Sequence, residues 1–230
     1  MSYDIATNDF GVSDVEKVCD PTFLCPIEEY QKLINMAEQK EDEKYILAYI
    51  LDPNEDIAAN LKLISEKKNT KIIVLLDELP TEFKINVEKM HLPESSNIEI
   101  KKEVTLYDWM WYYSHADSVV TDSFHGTIFS LIFKKPFITL TNEKRGAARF
   151  VSLLTPLDLI YRLFNSPSAL SENADLLDSL DYTEPDKKLD EIRSNSLNWL
   201  KNAIFSKKTG ESNTVFDYES KSRNNKAERN

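Results

Sequence analysis

The sequence contains little glycine, cysteine or histidine. Its 230 residues include four glycines, two cysteines and three histidines. Four glycines scattered from Gly11 to Gly210 cannot form a GxGxxG or Walker loop, which excludes the common dinucleotide-binding and P-loop motifs. The cysteines and histidines also lack the spacing of an ordinary zinc site, so no metal site is predicted. Cys19 and Cys25 are expected to be reduced thiols of a cytosolic protein rather than a disulfide.

Long apolar runs and an excess of positive charge are absent as well. The apolar runs fall far short of the roughly 18 residues that a membrane-spanning helix requires. The N-terminal string MSYDIATNDF has neither the basic start nor the apolar stretch of a secretory signal. The 28 lysines and arginines are outnumbered by 39 aspartates and glutamates. This balance argues against nucleic-acid binding, which needs a basic face. A soluble, cytoplasmic protein is predicted.

The composition does provide enough apolar residues for a core. Hydrophobic residues make up 41% of the chain and aromatic residues 10%, and the length corresponds to one domain with an appendage. Residues 1–26 are predicted to form an extended entry segment, and residues 27–206 a folded domain that ends in a closing helix at 189–205. Residues 207–230 are mostly polar and are predicted to be a disordered tail.

Apolar runs and amphipathic segments alternate along the folded part. Strands are predicted at residues 45–51, 71–76, 98–100, 117–121 and 136–140. Helices are predicted at residues 27–40, 57–64, 106–114, 126–133 and 147–154. Residues 77–97 contain Pro80 and Pro93 and are predicted to be loop with room for one short helix. Strands that are apolar throughout and alternate with helices are typical of a parallel sheet covered on both faces. The predicted fold is therefore α/β, a Rossmann-like doubly wound parallel sheet.

The string HADSVVTDSFHGTIFSLIFKKPFITL, residues 115–140, predicts a strand, a sharp turn, a helix and another strand. In a parallel sheet, ligands bind beyond the carboxyl ends of the strands. Asp122 or Ser123 can cap the helix, and Gly126 lets the backbone bend or approach a ligand. The helix start at Ser123, Phe124 and Gly126 favours an anion, to which His125 could donate a hydrogen bond or a proton. The alternative interpretation is structural. The Asp-Ser pair would be an ordinary helix cap, and His125 would be a polar residue whose hydrogen bonds are made within the protein.

A basic string, NEKRGAAR at residues 142–149, follows the last predicted strand at the same edge of the sheet. Arg145 and Arg149 are four residues apart and share a helix face if the helix begins early. Guanidinium groups bind phosphate and carboxylate in bidentate fashion. The pattern therefore favours an anion site, while a solvated basic turn is the alternative.

Three strings of this sequence resemble the polysaccharide pyruvyl transferase family. They are ADSVVTDSFHGTIFSLIFKKP at residues 116–136, NEKRGAAR at residues 142–149, and GVSDVEKVCDPTFL at residues 11–24. The last is similar to the family's inter-domain stretch, which often runs to DPT. Members typically transfer the pyruvyl group of phosphoenolpyruvate to a sugar of a surface glycan, forming a ketal. The resemblance spans about residues 11–163 and implies the C-terminal, donor-binding half of an enzyme with a two-domain, GT-B-like layout.

The resemblance implies roles for individual residues. His125 would act as acid or base or hold the donor, while Arg145 and Arg149 would bind the donor's phosphate and carboxylate; no cofactor is implied. Ser123 stands where some members have arginine, which leaves the substrate open. Because the chain begins near the inter-domain stretch, the N-terminal half is expected to be missing. The resemblance then leaves three alternatives: a subunit whose protein partner supplies that half, a fragment, or a donor-binding remnant.

Two alternative functions remain open at this stage. In a nucleotide-sugar glycosyltransferase, the same anion site would hold a diphosphate. In a non-catalytic module, the domain would complete another chain, and exposed apolar surface on the helix at residues 27–40 would favour that function.

Overall fold

A six-stranded parallel sheet forms the centre of the protein in the computed structural model. The structure describes residues 5–13, 15–76, 80–92, 97–141 and 146–205, so the predicted tail at 207–230 lies outside the described residues. The strands are β1 (Tyr45–Ile50), β2 (Lys71–Leu76), β3 (Ile98–Ile100), β4 (Ser118–Thr121), β5 (Phe137–Leu140) and β6 (Leu163–Phe164). Their order is β3-β2-β1-β4-β5-β6, with parallel pairing throughout. This is the doubly wound order, and it confirms the predicted α/β fold.

Eight α-helices connect and cover these strands within the described residues. They are α1 (Ile27–Ile34), α2 (Glu55–Lys68), α3 (Pro80–Met90), α4 (Leu106–His115), α5 (Phe124–Ile132), α6 (Ala148–Leu154), α7 (Ser168–Glu172) and α8 (Thr183–Phe205). Short 3₁₀ turns occur at Pro21–Leu24, Ile160–Arg162 and Ala174–Leu177, and one π-helical turn occurs at Ile5–Asp9. No helix among these residues is long and apolar enough to cross a membrane.

The core consists of two apolar layers, one on each face of the sheet. Alternate residues of β1 supply opposite layers, since Tyr45 and Leu47 pack in one and Ile46 and Ala48 in the other. Side chains on a strand point alternately to its two faces. Because helices cover both faces, the strand must be apolar at every position. The continuous apolar run of β1 therefore follows from its place in the middle of the sheet.

Several element boundaries differ from those predicted. Residues 80–90 form α3, which is longer than the short helix expected within the loop at 77–97, because a proline is tolerated in the first turn of a helix. α1 ends at Ile34, and the backbone N–H groups of Glu38 and Gln39 donate instead to the Asp108 carboxylate, at 2.9 and 2.8 Å. α8 begins at Thr183, before the predicted start. The edge strand β6 has two residues, too few for a sequence pattern.

The strand order reverses between β1 and β4, which are neighbours in the middle of the sheet. In doubly wound sheets, a crevice for ligands opens at this switch point, beyond the carboxyl ends of the strands. The turn from β4 into α5 begins there. The fold therefore brings Asp122, Ser123, Phe124, His125 and Gly126 to the edge at which a ligand is expected.

Candidate active site

The turn between β4 and α5 is fixed by hydroxyl groups. Ser123 Oγ accepts a hydrogen bond from the backbone N–H of Gly126 at 3.2 Å, and this confirms Ser123 as the helix cap. Thr121 Oγ1 accepts from the backbone N–H of Ser123 at 3.0 Å and donates to the carbonyl oxygen of Tyr49 at 2.7 Å. Ser123 is buried. Its side chain therefore stabilises the turn, and the part of Ser123 in anion binding at the helix start stays a prediction.

Asp122 ties this turn to the neighbouring strand. Its carboxylate accepts hydrogen bonds from the backbone N–H groups of Leu51, at 2.7 Å, and Asp52, at 3.0 Å, just after the end of β1. Burial raises the pKa of Asp122, and these two hydrogen bonds oppose the rise. The residue thus joins the carboxyl ends of β1 and β4 and leaves helix capping to Ser123.

Gly126 is required for packing beneath α5. A Cβ atom at this position would lie 2.4 Å from Thr121 Oγ1 and 2.6 Å from the Tyr113 hydroxyl. Both distances are far below van der Waals contact, so another residue type would force the helix or these side chains to move. The absence of a Cβ at Gly126 therefore allows α5 to pack closely against Thr121 and Tyr113. Gly126 is buried and its backbone N–H donates to Ser123 Oγ; its part in anion binding stays a prediction.

The His125 side chain is accessible at the second residue of α5. Its exposed fraction is 58%, and its Nε2 atom lies 3.9 Å from Asp20 Oδ2. The ring centroid lies 5.7 Å from that of Phe124, at an interplanar angle of 70°. The imidazole is therefore not packed into the apolar core and can reach a ligand at the sheet edge.

Asp20 was not among the predicted site residues. It belongs to the entry segment and is 105 positions before His125 in the sequence. The local string Asp20-Pro21-Thr22 does signal a capped turn, since an aspartate before proline commonly starts one. That signal indicates the turn but not its partner across the fold.

Phe124 connects the histidine to an arginine of α6. The guanidinium carbon of the exposed Arg149 lies 4.9 Å from the centroid of the Phe124 ring, a cation–π distance, and Phe150 contacts the same ring edge-on at 5.7 Å. His125 and Arg149 therefore flank one aromatic side chain. Arg145 lies outside the described residues. α6 begins only at Ala148, so the early helix start on which the predicted pairing of Arg145 and Arg149 depended is not present.

A groove of about 680 Å³ runs beside these residues, between the entry segment, α6 and α8. Asp20, Phe124 and Arg149 line it on the side of His125. Its other walls are mainly apolar and include Val15, Val18, Phe23, Leu153, Leu157 and Ile192. The site thus combines a cation and an accessible imidazole with a largely apolar recess.

The sequence favours a helix start and core aromatics over a sugar platform at Asp108, Trp109 and Trp111, and a plain loop over a contact with a substrate hydroxyl at Asp77 and Glu78. Asp108 starts α4 through a reciprocal capping box with Thr105, and although burial alone would raise its pKa, the hydrogen bonds that it accepts lower it. Trp111 is buried and stacks on His115 with centroids 4.1 Å apart. Asp77 and Glu78 lie outside the described residues. Across the described part of the chain, no group of three or more histidine, cysteine, aspartate or glutamate residues could hold a metal ion.

α1 buries Tyr30 and Ile34 against the domain and exposes Ile27. Within residues 27–40, the large apolar side chains that are exposed are Ile27 and, beyond the end of α1, Met36. The apolar surface that would favour a non-catalytic module is limited to these two side chains.

Comparisons with known proteins give a family and a fold. The family model "Polysaccharide pyruvyl transferase" matches residues 1–144. A solved UDP-GlcNAc 2-epimerase of Methanocaldococcus jannaschii, in complex with UDP-GlcNAc and UDP, is similar with 16% identity and a TM-score of 0.53, over 83% of this chain and 57% of that one. A protein of Listeria monocytogenes assigned as a UDP-N-acetylglucosamine 2-epimerase has 14% identity and a TM-score of 0.49, over 82% and 54%. The chain thus spans little more than half the length of these structures. No curated protein sequence matches it.

Proposed function

The chain belongs to the polysaccharide pyruvyl transferase family, and we propose that it transfers the pyruvyl group of phosphoenolpyruvate to a sugar of a surface glycan. The observation that carries the proposal is the pairing of an accessible His125 with the Arg149 guanidinium across the Phe124 ring. A proton-transfer group beside a cation suits a donor that is anionic and must be protonated.

Phosphoenolpyruvate carries a phosphate and a carboxylate. Arg149 can bind either group through two parallel N–H donors, and Arg145 is proposed to bind the other. The backbone N–H groups of Phe124 and His125, in the first turn of α5, have no acceptor within the helix. Together with the helix dipole they favour an anion at the same place.

His125 is proposed to move the protons of the reaction. Protonation of the methylene carbon of phosphoenolpyruvate converts it to a methyl group and makes the neighbouring carbon electrophilic. One sugar hydroxyl then adds to that carbon with loss of its proton. A second hydroxyl displaces the phosphate and its proton leaves with the phosphate, so that one ketal and one inorganic hydrogen phosphate are formed. An imidazole at this position can supply the first proton or accept a hydroxyl proton.

The acceptor is proposed to enter along the groove between the entry segment, α6 and α8. A second Rossmann-like half, on this or another polypeptide, is proposed to close the opposite side, since holding two substrates together supplies much of the rate. The reaction is proposed to occur in the cytoplasm, where phosphoenolpyruvate is made.

The direct test is a donor assay with glycan acceptors and the full chain, together with any partner that co-purifies. With phosphoenolpyruvate, we expect acceptor-dependent release of phosphate and a ketal product detected by mass spectrometry. His125→Ala should lower turnover by about 10² to 10⁴, the usual contribution of general acid–base catalysis. His91→Ala is the matched control, because His91 is exposed and pairs with Glu55 away from the site. Transfer from nucleotide sugars in place of phosphoenolpyruvate would establish the glycosyltransferase alternative.

A further inference from the structure

The carboxylate of Asp20 and the imidazole of His125 come from distant parts of the chain and face each other. Asp20 Oδ2 lies 3.9 Å from His125 Nε2, and the exposed fractions of the two side chains are 25% and 58%. This separation is an ion-pair distance, longer than a hydrogen bond. A closure of about 1 Å would form a charge-assisted hydrogen bond of typical length.

Contacts within its own turn of the entry segment hold Asp20 in place. Its Oδ1 atom accepts a hydrogen bond from the backbone N–H of Thr22 at 3.0 Å, which caps the 3₁₀ turn Pro21–Leu24. Phe23 anchors this turn in the core, and its backbone N–H donates to the carbonyl oxygen of Asp20 at 3.0 Å. One carboxylate oxygen is therefore used locally, and the other is directed to the imidazole.

Two helices fix the residues on either side of Asp20. The Tyr30 hydroxyl of α1 donates to the carbonyl oxygen of Thr22 at 2.8 Å. On the other side, the backbone N–H of Cys19 donates to Ser196 Oγ of α8 at 2.9 Å, and this buried hydroxyl donates in turn to Ile192 O at 2.7 Å. The entry segment is thus attached to the domain on both sides of Asp20.

We propose that Asp20 is the positioning residue of His125 in the proposed pyruvyl transfer. Its carboxylate selects the imidazole tautomer with the proton on Nε2 and leaves Nδ1 as the nitrogen that exchanges protons with substrate. When Nδ1 takes a proton, the carboxylate stabilises the resulting imidazolium. A carboxylate that orients a catalytic histidine in this way acts through the histidine and does not itself bond to substrate. The catalytic effect of Asp20 rests on the proposed function. The His125 tautomer, in contrast, is a property of the protein alone and can be measured without a substrate.

The test is nitrogen-15 NMR of the histidine rings in the full chain. With three histidines in the sequence, the His125 signals are assigned by their loss in His125→Gln. We expect the Nε2–H tautomer to dominate in the unaltered protein. In Asp20→Asn, an amide N–H₂ facing Nε2 favours the Nδ1–H tautomer, while the amide oxygen keeps the Thr22 cap, so the melting temperature changes little. Asp9→Asn, an exposed change in the same segment, should leave the tautomer as it was.

Kinetics give the second readout. Asp20→Asn should lower kcat for pyruvyl transfer on the order of 10- to 100-fold, while KM for phosphoenolpyruvate stays within about twofold. An unchanged tautomer in Asp20→Asn overturns the positioning role even where the transfer activity is confirmed. A changed tautomer in a protein that does not use phosphoenolpyruvate supports the Asp20–His125 coupling and contradicts the proposed function instead.

Discussion

The Asp122 carboxylate accepts a hydrogen bond from the backbone N–H of Leu51 at 2.7 Å, and this contact joins the ends of β4 and β1. These two strands flank the point at which the strand order reverses. The second carboxylate oxygen accepts from the backbone N–H of Asp52 at 3.0 Å. The turn that presents His125 is therefore held by the neighbouring strand as well as by its own helix.

Asp122→Asn tests this connection. The amide can accept one of the two hydrogen bonds, but its N–H₂ group then faces the other backbone donor, which is left unpaired in a buried place. We expect the free energy of unfolding to fall by about 1–3 kcal/mol, measured by urea denaturation. Asp117→Asn, at an exposed aspartate just before the same strand, is the control and should change stability little. Equal stability of both variants would show that the carboxylate does not hold the two strand ends.

Gly126→Ala tests the packing beneath α5. The added methyl group would meet Thr121 Oγ1, which is itself fixed by two hydrogen bonds, so the clash cannot be relieved by a simple side-chain rotation. Overpacking of this kind costs about 1–3 kcal/mol, more than alanine gains over glycine in a helix. The measurement is the melting temperature of the variant.

Tyr113→Phe separates the clash with the Tyr113 hydroxyl from the clash with Thr121 Oγ1. In the described structure the buried Tyr113 hydroxyl has no hydrogen-bond partner, so Tyr113→Phe should cost little by itself. Combined with Gly126→Ala, it should recover part of the lost stability by removing one of the two obstructing oxygens. A double variant no more stable than Gly126→Ala alone would place the strain elsewhere.

Acid should destabilise the protein through a network of charges at the amino ends of β2 and β3. Lys71 pairs with Glu41 at 2.6 Å and with Glu99 at 2.8 Å. The hydrogen bond from Lys71 lowers the pKa of Glu41; burial alone would raise the pKa of Glu99, but its hydrogen bonds to Lys101 and Lys71 lower it. Carboxyl groups with a lowered pKa in the folded state stabilise it above their unfolded value, about 4.3 for glutamate, and this contribution is lost as the pH falls through the lowered folded values.

Lys71→Met measures that contribution. We expect the difference in the free energy of unfolding between pH 6 and pH 3 to be smaller in this variant than in the unaltered protein. Lys84→Met removes a fully solvated pair with Glu88 at 3.9 Å and should leave the pH dependence nearly the same. Parallel pH curves for all three proteins would contradict the assignment.

Ser196→Ala tests the attachment of the entry segment to α8. The variant leaves the backbone N–H of Cys19 without the hydroxyl acceptor at 2.9 Å. We expect the Cys19 amide to exchange with solvent faster and the stability to fall by about 1 kcal/mol. Ser194→Ala, at an exposed position of the same helix, should leave the Cys19 exchange rate as it is. An unchanged rate in Ser196→Ala would show that the segment is held by other contacts.

The central sheet could be predicted because its strands are buried on both faces. Each of β1 and β2 therefore appears as a continuous apolar run, and the alternation of such runs with helices determines the fold class. The length of α3 was underestimated, as a short helix within a loop, because Pro80 suggests a break, whereas a proline is well tolerated at a helix start. β6 contains only two residues and is defined by its pairing with β5. A strand this short has no hydrophobic pattern from which it could be predicted.

The candidate site could be predicted only where its residues are close in sequence. The turn around His125 has a local signature of cap, glycine and helix, and so the turn itself could be predicted. The close packing of Gly126 against Thr121 and Tyr113 could not be predicted, because these residues meet only in the folded chain. Asp20 was missed for the same reason, since its approach to His125 depends on the packing of the entry segment against α1 and α8.

We propose above all that a small donor with two anionic groups, a phosphate and a carboxylate, binds between His125 and Arg149. The most direct measurement is the melting temperature of the full chain as phosphoenolpyruvate is added. A ligand at 100 times its dissociation constant adds about 2.7 kcal/mol of stability, so the melting temperature should rise by several degrees. The rise should be lost in Arg149→Gln and kept in Arg193→Gln, whose arginine pairs with Asp190 at 3.5 Å on α8. An equal rise in both variants, or a rise with nucleotide sugars and none with phosphoenolpyruvate, would contradict the claim.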